Sequence, residues 1–335
     1  MAGRRLTKRQ RGRIAQLQKE RRRRLAEKAD QALQDADAED VREGRVIRRH
    51  GQHLIVQDDD ARQHHCLFRQ NLGEIVCGDK VLWQPVANDQ GVVVALLPRN
   101  TVLSRPDYSG RDKPLAANIT QLVVVLAPRP APTGYLTDQY LIAAELIGVR
   151  ALITLNKADL LATEEWKAFR QKFIRYEDIG YPVIGVSAKQ ENGLEPLLDH
   201  LEEETSILVG QSGVGKSSLI NALIPRTEEA VGELSEASGL GRHTTSVATL
   251  HFLGNGAEII DSPGVRSFRL GKIGIWELES GFREFAPYLG KCRFSNCRHC
   301  NEPGCALIEA VEEGHIHPER LKNFLHMADQ LEKGH

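Results

Sequence analysis

Between about Gly44 and Asp107 the apolar residues come in short clusters separated by turn residues. Arg45-Val46-Ile47 and His53-Leu54-Ile55-Val56 flank Gly51. Cys66-Leu67-Phe68, Lys80-Val81-Leu82-Trp83 and the apolar run after Gly91 follow, punctuated by Gly73, Gly78, Asn88 and Pro98. Four to five short strands in about 60 residues predict a small closed β-barrel of the OB type. Many such barrels bind oligonucleotides, but the fold alone serves equally well as a spacer.

From Ala116 the rhythm becomes strand, helix, strand. Leu122-Val123-Val124-Val125, Ala151-Leu152-Ile153-Thr154-Leu155, Val183-Ile184-Gly185-Val186 and Ser206-Ile207-Leu208-Val209 read as strands. Amphipathic stretches over 137–147, 163–176 and 194–203 read as helices between them. Apolar strands alternating with such helices predict a parallel sheet covered on both faces. After about Lys272 the chain reads as helical, with helices expected over 276–289 and 319–331 around a cysteine cluster. The expected organisation is multidomain. It comprises a basic helical or disordered arm over 1–38, an OB-fold barrel over 39–110, an α/β domain over 111–271 and a helical metal-binding domain over 272–335.

Charge adds one feature to this picture. The net charge is -1, yet the first 28 residues hold 12 Lys/Arg against Glu20 and Glu27. A basic arm on an acidic body points to an anionic partner such as RNA. No apolar run is long enough to cross a bilayer, and the N-terminus lacks the apolar core of a signal peptide. The expectation is a cytoplasmic protein without a membrane partner, acting as a monomer. Of six cysteines, Cys66 and Cys77 stand alone, whereas Cys292, Cys297, Cys300 and Cys305 crowd near His299. Without an export signal, that crowding favours a metal over disulfides.

Gly210-Gln211-Ser212-Gly213-Val214-Gly215-Lys216-Ser217 matches G-x-x-x-x-G-K-[ST]. It follows an expected strand and opens an expected helix over 218–223, beginning at Ser218, which is the context this phosphate-binding motif requires. Its glycines let the backbone wrap a phosphate with its N–H groups pointing inward. Lys216 would neutralise the β and γ oxygens, and the Ser217 hydroxyl would lie on Mg²⁺. Asp261-Ser262-Pro263-Gly264 follows the strand Glu258-Ile259-Ile260. Asp261 can hold Mg²⁺ directly or through water, and Gly264 can offer its N–H to a γ-phosphate. Alone, this tetrapeptide is also good turn chemistry.

Asn156-Lys157-Ala158-Asp159 follows the strand ending at Leu155. The two acceptors of Asp159 match the adjacent N1–H and 2-amino donors of guanine, whereas adenine has no donor at either place. A site built on paired polar groups rejects the analogue that lacks them. Asn156 can bridge the base and the phosphate loop, and the Lys157 stem can lie along the ring. In Ser187-Ala188-Lys189, after the strand ending at Val186, a backbone N–H near Ala188 can reach guanine O6.

The base motifs precede the phosphate loop, the reverse of an ordinary GTPase. This order, with a barrel before it and a cysteine cluster after it, resembles the bacterial ribosome-small-subunit-dependent, circularly permuted GTPases over about residues 40–330. Gly210 to Ser217, Gly241-Arg242-His243-Thr244-Thr245, Asp261 to Gly264 and the stretch 285–305 carry the resemblance. It implies a GTP hydrolase, binding GTP and GDP with Mg²⁺, that acts in late maturation of the small ribosomal subunit, touches its rRNA and is stimulated by it. Thr245 resembles the switch threonine that completes Mg²⁺ coordination, with Thr244 as the neighbouring alternative. Val265 stands where many GTPases carry a water-orienting glutamine. His243 resembles the family's water-positioning histidine; its alternative is a contact to RNA. The family's zinc spacing maps onto Cys292, Cys297, His299 and Cys305, a complete set for structural Zn²⁺, although Cys300 could replace His299. A GTP-sensing RNA chaperone in which hydrolysis is incidental is the second reading, and a P-loop ATPase the third.

Overall fold

The computed structural model describes residues 40–68, 72–86, 90–106, 111–224, 248–262 and 273–333. The basic arm, the segment holding His243, Thr244 and Thr245, and the segment holding Gly264 lie outside the described residues. Near Asn100 the chain divides into two compact units.

The first unit is a barrel of β1 (Arg42–His50), β2 (His53–Gln57), β3 (Gln63–Phe68), β4 (Lys80–Val86) and β5 (Gln90–Leu96). The strands run in the order β1-β2-β3-β5-β4, and β4 pairs back onto β1. The pairs are antiparallel except β3–β5, where Cys66 sits beside Gly91. This closed Greek-key order is that of the OB fold. Trp83 is completely buried at its centre with Val46, Leu54, Val56 and Phe68. A Cβ on Gly91 would lie 2.5 Å from the Trp83 ring, so this glycine makes room for a large side chain in a small barrel.

The second unit begins with a two-stranded hairpin, β6 (Val102–Pro106) and β7 (Asp112–Ala117), which the hydropathy pattern does not announce. Its sheet contains β8 (Gln121–Leu126), β9 (Arg150–Leu155), β10 (Val183–Gly185), β11 (Thr205–Val209), β12 (Thr249–Gly254) and β13 (Ala257–Asp261) in the order β10-β9-β8-β11-β13-β12. Strands β10, β9, β8, β11 and β13 are parallel. Every residue of β8 and β11 is buried, as both-face coverage demands. The expected α/β sheet is therefore present, and the base motifs enter it before the phosphate loop. Chain entry changes without changing the sheet because termini of compact domains tolerate permutation.

Helix α1 (Gly134–Ile147) starts a turn before the expected position, since Thr133 accepts a capping bond from the Leu136 N–H. The expected helix over 163–176 is broken into α2 (Thr163–Gln171) and α3 (Ile174–Asp178). Residues 172 and 173 form a turn, with Phe173 buried against Phe169 and Tyr176, so packing overrides a helical spacing. Helices α4 (Glu195–Leu201) and α5 (Lys216–Leu223) follow.

After the sheet, α6 (Ile275–Ser280), α7 (Ala306–Glu312) and α8 (Pro318–Lys333) form the helical module. The expected helix over 276–289 stops at Gly281, followed by a single 3₁₀ turn, Arg283–Phe285. Gly281 lies against α1, where a Cβ would come 2.5 Å from Ile142 Cγ2. Phe282, Phe285 and Phe324 form an aromatic triangle with centroids 4.7 to 5.7 Å apart. Ile142 of α1 belongs to the same core, so the module shares its apolar interior with the α/β domain.

Candidate functional site

The expected phosphate loop leaves the end of β11 and ends at α5, whose N-cap is Gly215. Gly210, Gly213 and Gly215 all have positive φ, at 143°, 86° and 99°. Space as well as conformation demands glycine at two of them. A Cβ on Gly210 would lie 2.3 Å from the Val125 carbonyl oxygen, and one on Gly215 would lie 2.4 Å from Asn156 Nδ2. The Lys216 ammonium donates to the carbonyls of Gly210 and Gln211 at 2.6 and 2.7 Å, so its charge is held on the loop. Gln211, Ser212, Ser217 and Ser218 stand on the same loop or the first turn of α5, with Val214 buried beneath.

The segment after β9 meets this loop directly. Asn156 is 2% exposed, and its Nδ2 donates to the Val214 carbonyl at 2.9 Å. Its Oδ1 is buried and has no hydrogen-bond partner among the described residues. Lys157 adopts a left-handed backbone conformation (φ 63°), which turns its side chain over the loop. Its Nζ donates to the carbonyls of Gly213 and Arg129. Asp159 lies in the 3₁₀ turn Ala158–Leu160, and its Oδ1 accepts a 2.6 Å bond from the Ser187 hydroxyl. Ser187 in turn accepts from the Lys189 N–H at 3.2 Å, and the Ala158 N–H reaches the Val186 carbonyl. Ala188 sits half-buried between these two anchors. Residues separated by dozens of positions are thus one hydrogen-bonded rim at the C-terminal ends of β9, β10 and β11. That end of a parallel sheet is where such folds bind ligands. Asp261 closes β13 at the same end of the sheet.

A second cluster lies in the helical module. Cys292, Cys297, His299 and Cys305 place one donor atom each within 4.8 Å of one another. His299 Nδ1 is 3.5, 3.6 and 3.2 Å from the sulfurs of Cys292, Cys297 and Cys305, and the Cys292 and Cys305 sulfurs are 3.9 Å apart. A tetrahedron with zinc-like bond lengths has edges of roughly 3.5 to 3.8 Å, so the donor set fits a four-coordinate ion. Cys300 is exposed, and its sulfur turns to the Arg298 carbonyl. Burial pushes the Cys297 thiol up to about 12. At Cys305 burial also favours the thiol, but the N–H groups of Ile308 and Leu307, together with His299, hold its pKa below the ordinary value.

Several residues around these sites carry no motif signal. Glu279 meets His299 Nε2 at 3.3 Å and raises the imidazole pKa. The Glu302 carboxylate accepts from the N–H groups of Arg298, Cys300 and Asn301, which lowers its pKa to about 2. Tyr140 of α1 is 2% exposed, and burial raises the pKa of its hydroxyl. Buried Arg320 of α8 pairs with Asp138 of α1 at 2.6 Å and with both oxygens of Glu284. Glu302 meets neighbours in sequence, whereas only the topology brings Glu279 to His299 and Arg320 to Asp138 and Glu284.

The RsgA GTPase family model matches residues 96–271. Small ribosomal subunit biogenesis GTPase RsgA of Alcanivorax borkumensis is 47% identical over 99% of this chain and 97% of its own length. The protein of the same name from Pseudomonas aeruginosa is 43% identical over 98% and 97%. Among solved structures, YjeQ from Thermotoga maritima superposes with a TM-score of 0.71 at 32% identity, covering 87% of this chain and 98% of its own. YloQ, a circularly permuted GTPase, superposes with a TM-score of 0.70 at 25% identity, covering 89% and 98%. Matched by the family model over residues 96–271 and 47% identical to a relative over nearly the whole of both chains, this chain belongs to the RsgA GTPase family.

Proposed function

We propose that this protein binds GTP along the rim of β9, β10 and β11, hydrolyses it to GDP and phosphate, and uses the cycle in late maturation of the small ribosomal subunit. The observation that carries the reading is the strap from the Asn156-Lys157-Ala158-Asp159 segment to the phosphate loop, through Asn156 to Val214 and Lys157 to Gly213. It holds a carboxylate suited to guanine and a lysine suited to phosphate in one rigid rim.

Asp159 would accept from guanine N1–H and the 2-amino group, oriented by Ser187. The Ala188 N–H would meet O6, with Lys189 helping to set that turn. Backbone N–H groups from Gly213 to Ser218 would surround the β-phosphate, and Lys216 would exchange its loop carbonyls for β and γ oxygens. Mg²⁺, when bound, offsets the negative charge of the phosphates; Ser217, Thr245 and Asp261 are the residues suited to hold it. Gly264 would donate to the γ-phosphate, and His243 would position water for in-line attack. The resemblance of the Gly241 to Thr245 stretch to the family signature supports these last roles. Slow intrinsic turnover is expected, because Val265 cannot orient water.

Zn²⁺ is the ion we assign to the Cys292, Cys297, His299 and Cys305 cluster, in a structural role. Four protein donors leave no open coordination position. The relatives' names support the small ribosomal subunit as the partner, and that partner supports a cytoplasmic location. The OB-type barrel and the basic arm are suited to its rRNA. Steady-state GTP hydrolysis with and without purified small subunits tests the function. Stimulation is expected, and equal rates would defeat the reading. Competition by ATP as effective as that by GTP would return the site to an ATPase.

A further inference from the structure

Cys297-Arg298-His299-Cys300 is a C-x-x-C sequence, and the metal cluster uses only its first cysteine. Two sulfurs at this spacing form a common dithiol pair of redox chemistry as well as a metal clamp. Cys300 is the exposed thiol of this chain; Cys66, Cys77 and Cys305 are buried, and Cys292 and Cys297 are half-buried. Thiol oxidation follows exposure, so an oxidant in solution meets Cys300 first.

The local backbone sets the pair on one turn. His299, between the two cysteines, has a left-handed φ of 61°, which turns the chain sharply. The Glu302 carboxylate accepts the N–H groups of Arg298, Cys300 and Asn301 at 2.9 to 3.1 Å and holds that turn. Cys300 Sγ folds back to the Arg298 carbonyl at 3.6 Å, beside Cys297 in the chain. A disulfide between such near neighbours closes only across a turn, because its Cα atoms must come within about 7 Å. Among the cluster's sulfurs, Cys297 is also the one able to answer. Cys305 is 1% exposed and packed at 3.2 Å against His299 Nδ1, and Cys292 is more distant in the chain.

We propose that Cys300 is an oxidation site that releases the metal held by its neighbours: a peroxide converts Cys297 and Cys300 into a disulfide and takes one ligand out of the cluster. The proposal rests on the reading that Cys292, Cys297, His299 and Cys305 hold a metal ion. In the first step the Cys300 sulfur attacks a peroxide oxygen, the O–O bond breaks, and a sulfenic acid and water form. In the second, the Cys297 sulfur attacks the Cys300 sulfur, the S–O bond breaks, and the departing hydroxide takes a proton from solvent. The peroxide is reduced to water by the electron pair that the two sulfurs give up. Cys292, His299 and Cys305 remain, one donor short of the closed set of a structural zinc site. A dithiol reverses the bond by exchange and restores Cys297.

The test treats full-length, zinc-loaded protein with hydrogen peroxide. A chromogenic chelator follows released zinc, and peptide mass spectrometry locates disulfides. Wild type is expected to release zinc as the Cys297–Cys300 disulfide appears, and to take zinc up again after dithiothreitol. Cys300→Ser should start with the same zinc content and release it about tenfold more slowly at the same peroxide concentration, because its exposed sulfur is gone. Equal release rates in the two proteins would overturn the proposal, as would zinc loss with Cys300 still a free thiol or a disulfide that leaves Cys300 out. Protein that carried no metal as purified would instead defeat the metal reading, a failure distinct from the absence of the disulfide.

Discussion

Asn156 donates its side-chain amide to the Val214 carbonyl at 2.9 Å, joining a loop after β9 to a loop after β11 across 58 residues of sequence. Gly215 makes this bond possible, because its Cα lies where a side chain would strike Asn156 Nδ2 at 2.4 Å. Its φ of 99° adds conformational strain of about 1–3 kcal/mol for any other residue. Gly215→Ala is expected to lower GDP affinity at least tenfold while circular dichroism and metal content stay as in wild type. Titration with fluorescent GDP checks it.

Asp159 offers acceptors where guanine offers donors, so an amide at this position presents a donor to the 2-amino group. Asp159→Asn is expected to weaken GTP by about 100-fold or more, since a mismatched buried polar pair is penalised strongly. Xanthosine triphosphate carries an oxygen in place of that amino group and should bind the variant better than it binds wild type. Competition binding with both nucleotides decides this, and unchanged preference for GTP would remove Asp159 from the base site.

The Cys292, Cys297, His299 and Cys305 cluster separates the roles of neighbouring cysteines. Cys305 is 1% exposed and 3.2 Å from His299 Nδ1, whereas Cys300 points away. Cys305→Ser is expected to lose the bound metal and lower the melting temperature of the helical module. Cys300→Ser should retain one zinc per chain by elemental analysis. The reverse pattern would exchange their roles.

Glu302 holds the cysteine-rich turn from outside by accepting three backbone N–H groups. Its folded pKa of about 2 lies below the ordinary 4.5, so its contribution is fully present above 4.5 and lost as pH falls through about 2. Glu302→Gln is therefore expected to speed metal loss to a chelator by a factor that is constant between pH 7 and 5. A factor that shrinks over that range would show that the carboxylate is already being protonated.

Arg320 is 2% exposed and answers two acids, Asp138 and Glu284. Arg320→Met fills similar volume but leaves both carboxylates without their cation. The expected cost is about 3–5 kcal/mol, the range for breaking a buried ion pair on one side. Chemical denaturation of the metal-loaded protein measures it.

The motifs were legible because each is a local contract between backbone and ligand. Glycines that wrap a phosphate must sit close in sequence, and the segments after β9, β10 and β11 could be read from short apolar strands alone. The barrel was legible from its alternating clusters. The hairpin β6–β7 and the break at Phe173 were not. Their apolar residues differ little from those of a loop or a continuous helix until neighbouring elements are placed.

What the sequence by itself determined was the chemistry of the parts: a lysine in a glycine loop, a carboxylate after a buried strand, and thiols near an imidazole. What only the tertiary structure decided was which parts share atoms. The Asn156 to Val214 strap, the gathering of Cys292, Cys297, His299 and Cys305 without Cys300, and the burial of Asp138 of α1 against Arg320 all depend on distances that local sequence does not set. Local propensity acts over a few residues, whereas these contacts follow from the order in which a parallel sheet sets its strands side by side.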